Sequence, residues 1–133
     1  YVIDLHTGSN LRTNQPQVRV DTGSAKAVEL ATHFGVGMVV AGEGPDGSLR
    51  REPMKLGIPA IIYEGGPPYI FVEPEIARGT QGVKNVMSYL GMTDDPPNTT
   101  PARWLDRSRA RAEGTTSPSA TWFSTPRVGS KVG

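Results

Sequence analysis

A chain of 133 residues carrying 14 basic and 13 acidic side chains is the size of one domain, with a net charge of +1. It has no cysteine, which excludes a disulfide framework and a thiolate metal site, so any metal must be held by His, Asp or Glu. The longest apolar runs, VGMVV and IPAIIY, fall far short of the roughly 20 residues that a membrane-spanning helix needs.

The 16 glycines and 12 prolines announce many turns. The opening YVIDLH has no basic n-region and no initiating Met, and reads as the interior of a longer protein. The charge is uneven: residues 1–98 carry 8 basic and 11 acidic side chains, residues 99–133 carry 6 and 2. The character of the chain changes near DDPPNTTP.

In chain order, YVIDL (1–5) is a short run of strand formers closed by the polar HTGSN. LRTNQPQVRV alternates at its end, Gln17 and Arg19 against Val18 and Val20, which suggests a second extended piece. Ser24 is placed to cap a helix with Ala27, Val28, Ala31 and Phe34 on one side and Gly35 as its stop. GMVVA (37–41) reads as a buried strand, GPDG as a turn, and SLRREPMKLG as a short helix. Pro53 requires that this helix start near Glu52 or be kinked.

IPAIIYEGG (58–66) is the strongest strand candidate, apolar on both faces and ending in Glu64. EPEIARGTQGVKNVMSYLG (73–91) reads as a helix with Pro74 in its first turn and Gly91 at its end. Gly79 and Gly82 cost it about 1 kcal/mol each relative to Ala, so close packing against the sheet is expected there. Strands alternating with helices predict an α/β layer with helices on its faces. Residues 93–101 read as a Pro-rich linker, and 102–133 as the beginning of a β-rich domain.

The chemistry-bearing candidates are few. His6 lies at a strand end, where a histidine is more often a hydrogen-bonded structural residue than a ligand. Asp4, two residues earlier on the same face, is placed to accept a hydrogen bond from its imidazole. His33 shares a stripe with Lys26 and Glu29, the polar face of its helix.

Glu64 emerges at the carboxyl edge of a central strand, where α/β sheets place their sites. Partial burial would strengthen it as a base, suited to take a proton from an attacking water and return it to a leaving amine. A turn-forming role is the plainer alternative. Arg12, Asn14 and Arg19 lie in the loop after His6, and a guanidinium there suits a carboxylate-bearing substrate. GVGMVVAGEG falls between a helix and a strand, the wrong order for a phosphate loop. Arg107, Arg109 and Arg111 alternate and share one face if extended; the wet face of an edge strand explains them more simply than nucleic acid does.

The runs YVIDLHTGSNLRTNQPQVRVD, FG, DGSLRREPMKLGIPAIIYEGG and GVKNVMSYLGM together resemble the succinylglutamate desuccinylase/aspartoacylase family, relatives of the zinc carboxypeptidases, over residues 1 to about 92. The resemblance implies a partial zinc-carboxypeptidase-like mixed sheet flanked by helices, then the start of a small β domain. It also implies a zinc-dependent deacylase that cleaves the amide bond of N-acyl amino acids or similar small amides. His6 then maps to a zinc ligand and Glu64 to the general base; the family's Asn-Arg pair for the substrate carboxylate is expected upstream, so Arg12 and Asn14 as substrate-binding candidates, and Asp4 as support for His6, rest on the residues alone.

The family's other two zinc ligands, in a His-x-x-Glu motif, are expected upstream, so this stretch alone is not expected to be a competent enzyme. A cytoplasmic protein with a small-molecule substrate and no membrane partner is expected. A non-catalytic module binding through a basic β surface is the rival reading.

Overall fold

A computed structural model describes residues 1–9, 12–106 and 122–123. In chain order its elements are β1 (Val2–His6), β2 (Asn14–Val20), α1 (Ala25–Phe34), β3 (Val36–Ala41), α2 (Arg51–Lys55), β4 (Ala60–Gly66), α3 (Glu73–Tyr89), β5 (Thr100–Asp106) and β6 (Trp122–Phe123). The strands form one mixed sheet in the order β1-β4-β2-β3-β5-β6. β1 runs parallel to β4, and β2 antiparallel to it. The α/β class expected from the alternation of strands and helices is the one found.

Local chemistry explains most of the boundaries. Ser24 is extended and its hydroxyl accepts from the Ala27 amide at 3.3 Å, while Gly35 takes the left-handed conformation that ends α1. Of the two arrangements expected for Pro53, a helix starting next to Glu52 is the one found. Pro53 is the third residue of that helix, which begins at Arg51, in the first turn, where a backbone N–H has no intrahelical partner to lose. Pro74 sits in the first turn of α3 for the same reason.

β2 is the element the sequence showed least well. Its pairing with β4 shifts between Asn14 and Gln17, and Pro16, which has no N–H to give a ladder, falls inside that irregularity.

The core lies between the sheet and the pair α1 and α3. Val18, Val20, Ile61 and Tyr63 face the helices, and Phe34 of α1 stacks on Tyr63 with ring centroids 5.4 Å apart. Gly79 lets α3 approach the sheet: a Cβ there would lie 3.1 Å from Tyr63 Cε1. Gly82 serves a different contact from the expected one. A Cβ at that position would overlap the Phe34 ring, so this glycine admits α1 rather than a strand.

Asn85, 1% exposed, ties three segments together. Its amide donates to the Phe34 and Asn98 carbonyls, and its oxygen accepts from the Asn98 amide at 2.8 Å. The linker is thereby fastened to the helices. β5 begins at Thr100, inside that stretch, and lies parallel to β3 in the same sheet. Most of 102–133, including Arg107, Arg109 and Arg111, lies outside the described residues.

Candidate functional site

Two strand ends meet at one point. β1 and β4 are parallel and in register such that His6 lies beside Glu64. Side chains alternate along a strand, so with Ile61 and Tyr63 turned toward the helices, Ile62 and Glu64 take the opposite face. Asp4 and His6 take that same opposite face as the register neighbours of Ile62 and Glu64.

His6 Nδ1 lies 3.1 Å from Asp4 Oδ1. An ionised carboxylate only accepts, so on a neutral imidazole the Nδ1 carries the proton and Nε2 keeps its lone pair. The His6 side chain is 56% exposed and that of Asp4 16%, which leaves the ring accessible with its orientation set from one side.

Glu64 is 7% exposed. Its Oε1 is paired with Arg19 Nη1 at 3.0 Å, and its Oε2 accepts a hydrogen bond from Asn14 Nδ2. Both donors come from β2, not from a loop as the sequence suggested. Gln17 is the register neighbour of Glu64 and Arg19 that of Ile62, which puts the guanidinium on the face of the carboxylate. The irregularity around Pro16 brings Asn14 opposite Gly66, two residues beyond Glu64 on β4. Burial alone therefore does not describe this carboxylate, because a guanidinium accompanies it. Arg12 stays in the exposed connection between β1 and β2, its amide bonded to the Ser9 carbonyl at 3.1 Å.

The glycines of YEGG have a steric reason. A Cβ on Gly65 would lie 2.6 Å from Tyr63 Oη and 2.9 Å from Glu75 Oε2. Tyr63 donates to that same Glu75 oxygen at 2.9 Å, and Arg78 donates to it at 2.7 Å. Burial first, and the Glu75 hydrogen bond second, push the Tyr63 phenol well above its ordinary range. Beside this network lies an apolar cavity of about 320 Å³ walled by Leu5, Ile70, Phe71, Val72 and Ile76. His6, Thr7, Gly65 and Gly66 border it as well.

Two further side chains have contacts that the sequence did not show. His33 is not simply solvated: its ring stacks on Tyr89 of α3 at 3.9 Å, and Tyr89 donates to Glu29. Arg50 is buried, 7% exposed, with Nη1 donating to the Gly42 carbonyl. Arg19 was among the sequence candidates, and its alternation with Val18 and Val20, rather than its place after His6, is the signal that puts it on β2.

The residues present fit a metal in part. The imidazole of His6, with Asp4 behind it, suits one ligand position. Among the described residues, however, no three His, Asp or Glu side chains gather as a metal site. Among them too, no helix is long and apolar enough to cross a membrane.

Comparison with known proteins places this arrangement in context. The chain resembles a solved succinylglutamate desuccinylase/aspartoacylase from Rhodobacter sphaeroides, with a TM-score of 0.68 and 19% identity over 81% of this chain and 36% of that one. It resembles the product-bound ectoine utilization protein EutE (DoeB) from Ruegeria pomeroyi, with a TM-score of 0.68 and 17% identity over 78% of this chain and 34% of that one. At such identities the likeness shows the fold, and the chain spans about a third of the length of these structures. No curated protein matches it. The family model described as the succinylglutamate desuccinylase/aspartoacylase catalytic domain matches residues 1–90, most of the sheet and all of the site described above, and the chain belongs to that family.

Proposed function

We propose that this chain supplies part of the active site of a zinc-dependent hydrolase that cleaves the amide bond of N-acyl amino acids or similar small amides. The observation that carries the reading is the register of β1 and β4, which sets the His6 imidazole beside the buried Glu64 carboxylate on one face at the carboxyl ends of two parallel strands. That is the edge where open α/β sheets place their chemistry.

His6 would hold one corner of the zinc through Nε2, with Asp4 fixing the ring; the other ligands are not among the described residues. Zinc, when bound, supplies charge to polarise the scissile carbonyl and to acidify water. The remaining steps belong to this chain. Glu64 Oε2 or Oε1 takes the proton of the attacking water, and the same oxygen returns it to the nitrogen of the departing amine. Its burial excludes bulk water that would compete for that proton. Arg12, exposed on the connection after β1, is the candidate for the carboxylate of an amino-acid substrate.

The test is amide hydrolysis by the intact protein on a panel of N-acetyl, N-succinyl and N-formyl amino acids, with bound zinc quantified. The reading expects turnover that a chelator abolishes, and a His6→Ala variant that loses both zinc and turnover. Zinc-independent turnover would overturn the zinc-dependent reading, and zinc retained in full by His6→Ala would remove His6 from the metal site.

A further inference from the structure

We propose that Arg19 and Asn14 form a two-point clamp that positions the Glu64 carboxylate, and that neither binds substrate. The inference rests on Glu64 being the general base.

The geometry favours positioning over recognition. A carboxylate at the end of a strand side chain rotates about three bonds, and a base must meet its proton within hydrogen-bond distance. Here each oxygen has its own partner: Arg19 Nη1 at 3.0 Å from Oε1, and Asn14 Nδ2 bonded to Oε2. Both partners stand on β2, hydrogen-bonded through its backbone to β4, so the clamp and the base share one rigid sheet. Each carboxylate oxygen has a second lone pair, which leaves the clamped group able to accept a proton. Arg19, at 27% side-chain exposure, faces inward on this carboxylate, whereas a guanidinium awaiting an anionic substrate would have to leave it. Asn14 departs for the same reason from the substrate-binding role that the sequence suggested.

Misplacing a reacting group by about 1 Å costs up to about 100-fold. The experiment compares Arg19→Ala, Arg19→Lys and Asn14→Ala in the intact, zinc-loaded protein, each in the native and the Glu64→Gln background. Read out are kcat, KM for an N-acyl amino acid, and zinc content.

The clamp predicts that Arg19→Ala lowers kcat about 10- to 100-fold, with KM within about twofold and zinc unchanged. Millimolar guanidinium should restore part of the loss, and Arg19→Ala should cost nothing further once Glu64 is Gln. Should Arg19→Ala fail to fold, Arg19→Lys and Asn14→Ala carry the same prediction in smaller measure. A raised KM with kcat intact would assign Arg19 to the substrate and overturn the clamp. So would an undiminished effect in the Glu64→Gln background. Near-native activity of Glu64→Gln alone would instead remove the base assignment on which the clamp rests.

Discussion

Tyr63 and Glu64 are neighbours on β4, yet they serve opposite layers, one held by Glu75 under α3 and the other by Arg19 and Asn14 of β2. The Tyr63 phenol is held neutral by burial and by its bond to Glu75, above the ordinary value of 10.0. Below about pH 10 folded and unfolded chains both keep that proton, and its contribution to stability is fully present. As pH rises further the unfolded chain releases it first, so stability falls. Urea unfolding midpoints between pH 8 and about 11.5 should decline in the native protein and decline less in Tyr63→Phe; identical alkaline slopes would contradict this.

At this scale the sequence was legible in identity but not in environment. His6, Asp4 and Glu64 stood out by their positions at strand ends. The cation beside Glu64 did not, because Arg19 meets it only through the antiparallel pairing of β2 with β4, and such pairing leaves no trace in local spacing.

Helices α1 and α3 were readable because their signals are local: a cap at Ser24, a stop at Gly35, a proline in the first turn, an apolar stripe. β2 was less readable, since Pro16 and a register shift interrupt its alternation. What α1 and α3 do to one another depends on contact, and here substitution should separate the effects. Gly→Ala in a helix ordinarily gains about 1 kcal/mol. Gly82→Ala should instead destabilise by roughly 1–3 kcal/mol, because the new methyl overlaps Phe34; a rise in the urea midpoint would show that the helices separate at no cost. Asn85→Ala should cost about 2 kcal/mol or more, leaving the Asn98 amide and the Phe34 carbonyl without their partner. Hydrogen exchange should then quicken first in the amides around Asn98, which no longer have that anchor, and unchanged exchange there would sink the idea.

Across the whole molecule, the sheet is what brings two distant pieces of sequence together at the candidate site. β1 lies at its edge and β4 inside it, with α1, β3 and α2 all falling between them in the chain. No window of sequence contains both His6 and Glu64, and only the parallel pairing of the two strands brings them side by side. The DLH and YEGG motifs pointed to one site through family resemblance without saying which strands pair, and the joining of β5 to the same sheet was not foreseeable, because DDPPNTTP reads as a break. The central claim is that Glu64 moves the proton in amide hydrolysis, and the most direct measurement is kcat for an N-acyl amino acid in Glu64→Gln with zinc content determined on the same sample. The account predicts a fall of at least about 100-fold with zinc unchanged; activity within a few-fold of the native protein would contradict it.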